Sequence, residues 1–180
     1  TEPYLRANLE IAERGTVSAI HVSEGAKVRA GDLILELDSR VLQSSLKIAD
    51  ARKNSGGALA AAKARHTLMK TQFDRLVSLS NDGHAQFDEL AKARADADVA
   101  AADLRIATDE QKIHSLECDQ LLQQIENRKL YAPFNGVVTR IYPTLGEAVN
   151  LDNEFLATLV QLDKLSITLH IKATEIDGLS

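Results

Sequence analysis

One short pattern is written twice in this chain, and it restricts the fold more than anything else. The first copy runs from Gly15 to Leu37 and the second from Gly136 to Thr158. At a constant offset of 121, Gly15 meets Gly136, Val17 meets Val138 and Ile20 meets Ile141. Further on, Gly25 meets Gly146, Val28 meets Val149 and Leu35 meets Leu156, with no gap anywhere. Internal repetition of this kind signals a repeated structural unit. Each copy reads strand, glycine turn, short strand, turn, strand, and neither is long enough to close a core alone. The pair is therefore expected to form one small β-domain, interrupted by everything between residues 39 and 130.

Within the first copy, Val17, Ile20 and Val22 fit a half-buried strand and Glu24-Gly25 a turn. Val28 follows, then Ala30-Gly31-Asp32 as a second turn, then the alternating Leu33, Leu35 and Leu37. Gly15, Gly25, Gly31, Gly136 and Gly146 are read as the structural turn glycines of the two halves. Before the first copy, Tyr4, Leu9 and Ile11 suggest a leading strand. After the second, the alternation Leu165, Ile167, Leu169, Ile171 reads as a separate strand belonging to something that continues past residue 180.

At Ser39 the period changes. Residues 39–130 contain no proline, and their only glycines are Gly56, Gly57 and Gly83. The stretch is rich in good helix formers. A heptad frame fits its first half through Val41, Ser45, Ile48, Arg52, Ser55, Leu59, Ala62, His66, Met69, Phe73, Leu76 and Ser80. A stronger frame fits the second half through Leu90, Ala93, Ala97, Ala100, Leu104, Ala107, Gln111, His114, Cys118, Leu121, Ile125 and Arg128. Sustained heptads argue for a coiled coil. Between the frames lies the one breaker cluster, Ser80-Asn-Asp-Gly-His-Ala85, where Gly83 suits a helix end. Two antiparallel helices of roughly 40 residues are expected, each about 60 Å long at 1.5 Å per residue. That is a projecting hairpin with its tip near 80–86. Gly56-Gly57 falls inside the first helix, as a weak spot, a close helix contact or a hinge. The second ends near Asn127-Arg-Lys129, where basic residues suit the helix dipole, and Pro133 blocks continuation.

Composition removes most other classes of function. A net charge of −5 gives no reason to expect a nucleic-acid partner. Cys118 is the only cysteine, which excludes an internal disulfide and a multi-cysteine metal site. The five histidines show no ligand spacing. No phosphate loop or nucleophile motif occurs, so the chain reads as non-catalytic and without cofactor. No apolar run approaches 18 residues, and neither end carries a targeting signal. The chain reads as a fragment of a larger protein, in which a targeting or anchoring segment would lie outside this stretch.

These features bring a family into view. Val22-Ser-Glu-Gly-Ala-Lys-Val-Arg-Ala-Gly-Asp-Leu-Ile resembles the first lipoyl half of the periplasmic adaptor, or HlyD-type membrane fusion, proteins. Tyr131-Ala-Pro-Phe-Asn-Gly-Val-Val138 resembles their entry to the second half, and Leu165–Asp177 the first strand of their β-barrel domain. The resemblance implies an α+β chain: a split lipoyl-like β-sandwich (10–38 and 131–162), an inserted antiparallel coiled-coil hairpin (39–130), and the start of a truncated β-barrel (163–180, with residues 1–9 a second candidate piece).

It also implies a subunit of a tripartite exporter in the periplasm, anchored to the inner membrane through an N-terminal segment. Its partners would be an inner-membrane transporter (RND or ABC), a TolC-like outer-membrane channel, and further copies of itself as a trimer or hexamer. Many members carry at the tip an Arg, a Leu four residues on and a Ser seven beyond that. Arg75 and Leu79 match, whereas Gln86 departs.

Alternatives follow from the same residues. A lipoyl or biotinyl carrier needs a lysine at a tight apex, and here the helices replace that apex. Lys27 and Lys47 sit near the seam but in no two-residue turn. A type I secretion adaptor or a purely structural scaffold stays open beside the efflux reading, which Arg75 and Leu79 favour. The expected mechanism is mechanical, and the isolated chain is expected to associate weakly.

Overall fold

The computed structural model describes residues 2–81, 87–150 and 155–166. It divides into two compact units: residues 1–40 with 124–180, and residues 41–123. The first unit holds β1 (Glu2–Leu9), β2 (Gly15–Ile20), β3 (Lys27–Val28), β4 (Leu33–Leu37), β5 (Lys129–Tyr131), β6 (Gly136–Ile141), β7 (Ala148–Val149) and β8 (Ala157–Ser166). They form two four-stranded sheets of order β1-β8-β6-β3 and β5-β4-β2-β7, antiparallel throughout.

The strand orders show how the doubled pattern is used. Strand β3 comes from the first copy yet pairs with β6 of the second, and β7 of the second pairs with β2 of the first. Each copy thus lends its short strand to the other copy's sheet. The backbone bonds repeat with the same offset. Gly25 N–H donates to Val138 O at 2.7 Å, and Gly146 N–H to Val17 O at 2.9 Å. Val138 N–H donates to Ala26 O at 3.0 Å, and Val17 N–H to Glu147 O at 2.9 Å. Gly25 and Gly146 hold nearly the same left-handed φ, 84° and 83°, a conformation that side chains with a Cβ resist. Gly15 and Gly136, expected in turns, instead open strands β2 and β6. Gly136 is required there by crowding, since a Cβ would meet Val160 O at 2.5 Å.

Between the sheets lie Val17, Ile34, Leu35, Leu37, Val138, Leu156 and Leu159, all fully buried. Each copy supplies part of this set, which is why neither half has a core of its own. Three sequence expectations change here. The alternation through Leu33, Leu35 and Leu37 is broken, because a register shift between Leu33 and Leu35 brings Ile34 inside as well. Strand β5, unanticipated, adds an edge beside β4. The chain does not leave the sheet after Asp163: β8 runs on to Ser166, and β1 stays paired with it as far as Glu2↔Ser166 across a register shift between Pro3 (opposite Leu165) and Leu5 (opposite Gln161). The rest of the expected barrel strand, from Ile167 onward, lies outside the described residues.

The second unit is helical. The 40-residue α3 (Phe87–Glu126) is a single helix, on the order of 60 Å long. All twelve positions of its heptad frame are buried or half-buried, with Ala100 and Cys118 most enclosed. The other arm is two helices rather than one, α1 (Arg40–Lys53) and α2 (Gly57–Asn81). Contacts run antiparallel: Arg65 Nη1 lies 3.5 Å from Asp103 Oδ2, and Gln111 Nε2 donates to the backbone carbonyl of Lys53.

The break between α1 and α2 resets the phase of the seam. From Leu59 to Ser80 the expected positions are the half-buried ones. In α1, however, Val41 is 80% exposed and Ile48 58%, while Leu42, Leu46, Ala49 and Lys53 turn inward. A heptad count cannot be carried through residues that leave the helix. Gly56 and Gly57 have open space where a Cβ would be, so they serve the break and not a close helix contact.

The repeat gives a direct stability test. Gly25→Ala and Gly146→Ala each force a left-handed alanine and should cost about 1–2 kcal/mol by like amounts. Gly136→Ala should cost about 1–3 kcal/mol through overpacking against β8. Urea unfolding followed by tyrosine fluorescence reports on this unit, since all three tyrosines lie within it. Unequal losses at Gly25 and Gly146 would show that the two turns are not equivalent.

Candidate functional site

Two places gather charged and exposed side chains: the root, formed by the residues that flank the helices in sequence, and the tip, where α2 ends and α3 begins. At the root, Leu37 N–H donates to Arg128 O at 2.8 Å and Asp38 N–H to Thr16 O at 2.8 Å. Arg128 completes the clasp. Its Nε donates to Glu13 Oε2 at 3.1 Å, and its Nη1 to the backbone carbonyl of Asp38. One side chain two residues past α3 thereby bonds the backbone two residues before α1.

Asp38 meanwhile shapes the start of α1. Its Oδ1 accepts the Arg40 backbone N–H at 2.9 Å, one of the donors that the first helical turn leaves unpaired. Its Oδ2 receives the Arg40 guanidinium at 2.6 Å. Hydrogen bonds from the Arg40 side chain first, and its backbone second, hold the Asp38 carboxyl down at about 2. On the other strand of the root, Glu126 is drawn below its ordinary range by hydrogen bonds from Tyr131 and from Lys129.

At the tip, Arg75 and Leu79 stand one turn apart on α2 and are exposed. Together with Met69, Gln72 and Leu76 they line an open hollow of ≈440 Å³, closed on the α3 side by Glu89, Lys92, Ala93 and Asp96. The hollow joins an apolar floor to charges of both signs. Gln86, the third expected tip residue, lies outside the described residues. Sequence reasoning passed over Phe87, which opens α3 and is 83% exposed. In a chain with 4% aromatics, a phenylalanine directly after the breaker cluster was the available signal. The remaining site glycines, Gly15, Gly25, Gly31, Gly136 and Gly146, all lie in the β-unit, Gly15 close against Leu37 of the root.

A β-unit assembled from two half-motifs, with a helical hairpin inserted between them in sequence, defines a split-domain class of fold. The comparisons agree with that class. Residues 10–161 match the family described as "RND MFP, barrel-sandwich hybrid domain". The chain belongs to the membrane fusion protein family, whose members are periplasmic adaptors. An uncharacterized protein of Haemophilus influenzae is 28% identical over 96% of this chain and 41% of its own length. The crystal structure of MacA from Actinobacillus actinomycetemcomitans superimposes with a TM-score of 0.80 at 23% identity, over 91% of this chain and 51% of that one. The membrane fusion protein Spr0693 from Streptococcus pneumoniae R6 gives a TM-score of 0.50 at 15% identity, over 87% and 63%. The chain therefore spans between 41% and 63% of the length of these relatives.

The root predicts an acid response. Because the folded state holds Asp38 at about 2 against an ordinary 3.8, its contribution is complete above about pH 4 and is lost as pH falls towards 2. Asp38→Asn should lower the melting temperature at pH 7 and shrink the further loss between pH 4 and 2. An unchanged acid profile in the variant would remove Asp38 from the root.

Proposed function

We propose that this chain is the connecting part of a periplasmic adaptor in a tripartite export system, linking an inner-membrane transporter to a TolC-like outer-membrane channel. The observation that carries the reading is the exposed tip, Arg75, Leu79 and Phe87, on a hairpin whose two feet both enter one interleaved β-unit. Within the β-unit, Arg128 ties Glu13 to the backbone of Asp38, next to the residues where the hairpin's helices begin and end in sequence. No bond is made or broken in this role. The protein supplies position, and the energy of transport comes from the transporter.

Among transporter types we favour the RND class, supported by the wording of the matching family and by Arg75 with Leu79 at the tip. An ABC-type or type I secretion partner is the second reading. A ring of three or six copies, an inner-membrane anchor preceding this stretch, and a barrel domain following residue 162 complete the proposal. Among the described residues, no helix is long and apolar enough to cross a membrane, so an anchor would come from elsewhere in the protein.

Truncating a central anchor of a protein interface costs about 2 kcal/mol or more, roughly a thirtyfold loss of affinity. Arg75→Asp, Leu79→Asp and Phe87→Asp, each made singly, should therefore abolish or sharply reduce export in cells. The thermal melt should be unchanged, because all three side chains are exposed. Full export by all three variants would overturn the docking role of the tip.

A further inference from the structure

Helix α3 is apolar on two faces, and its own hairpin uses only one. Val99, Ile106 and Ile113 recur every seven residues outside the seam and are 55%, 57% and 54% exposed. On α2, Ala60, Ala64, Thr67, Leu68 and Thr71 line a shallow, mainly apolar groove, with Lys63 at its edge. We infer that the α3 ridge of one copy seats in the α2 groove of the next, and that this contact sets the copies side by side.

Height, direction and charge all favour a second copy of this chain as the occupant. The Arg65–Asp103 pair fixes which residues of the two arms stand level. Counting along both helices from it places Val99 and Ile106 opposite residues 69 and 62, within the span of the groove. Neighbours standing parallel and unshifted would thus bring ridge to groove. In heptad terms the ridge lies on the flank of the hairpin that carries Arg65–Asp103, and the groove centres on the opposite flank. The two faces look away from each other, which gives a head-to-tail contact able to propagate into a closed ring.

The small side chains Ala60 and Ala64 let a neighbouring helix approach near the lower end of the usual 8–10 Å separation. Charge agrees. On the groove's side α2 carries Lys63 and Lys70, and from Gly57 to Phe73 it has no carboxylate. From Ala95 to Asp109, α3 carries Asp96, Asp98, Asp103 and Asp109 against Arg105.

The inference takes from the adaptor reading only that copies stand side by side, and its test does not depend on whether the tip docks. Ala64→Cys and Ile106→Cys, made separately in the intact protein and then mixed, should form a disulfide-linked dimer under mild oxidation. Cys118 is buried and stays out of the reaction. Each variant alone should cross-link several-fold less, and the double variant should give a ladder of oligomers. Raising the salt concentration should lower the yield of the mixed pair. Equal cross-linking by Ile106→Cys alone would mean that α3 ridges meet each other, which overturns the inference. Absence of any cross-link at concentrations where the protein associates would overturn it too.

Discussion

The structure depends on a reciprocal set of backbone hydrogen bonds. Gly25 reaches the carbonyl of Val138, and Gly146 reaches that of Val17, while Val17 and Val138 donate back across the same divide. Each two-residue strand, β3 and β7, would be worthless alone, since an isolated pair of residues has no sheet to join. Lent to the other copy, each satisfies backbone groups that would otherwise be buried unpaired. The shared core of Val17, Ile34, Leu35, Leu37, Val138, Leu156 and Leu159 forms only once the copies interlock.

This interlocking explains how a domain tolerates an insertion of residues 39–130. The entropic cost of closing a flexible loop grows only slowly with its length, and here the inserted segment orders itself. What must be controlled is the pair of exits. Arg128 does this by bonding Glu13 and the Asp38 carbonyl together, beside the Leu37–Arg128 backbone bond. Asp38 then caps α1 through Arg40. The root is polar because helix ends leave backbone groups unpaired, and charged side chains are the local means of meeting them.

Along the hairpin, the same accounting explains a polar residue in an apolar seam. Gln111 occupies a seam position in α3 and donates to the carbonyl of Lys53, the last residue of α1. The break between α1 and α2 is thus met from across the seam. Lys53 itself turns inward, and the seam restarts at Leu59 with a new phase. The break is part of the packing, and the two short helices and the long one are matched to it.

Read alone, the sequence determined the doubled β-pattern, the change of period at Ser39, and the whole seam face of α3. These are local signals: an alternation, a heptad or a glycine turn names an element and the face it buries. Residue spacing also made Gly25 and Gly146 equivalent before any geometry was seen. The candidate tip was legible through Arg75 and Leu79 by their resemblance to a family pattern, but Phe87 was not, because a heptad reading treats it only as the start of a helix. Tertiary structure alone decided the exchange of β3 and β7 between sheets, the addition of β5, the continuation of β8 past Asp163 through a register shift, the rotated phase of α1, and the Arg128 clasp. Each of these depends on partners far apart in the chain meeting backbone groups that carry no side-chain signature. Which donor is left unpaired at the root, or which edge is left open beside β4, exists only after the two halves have come together.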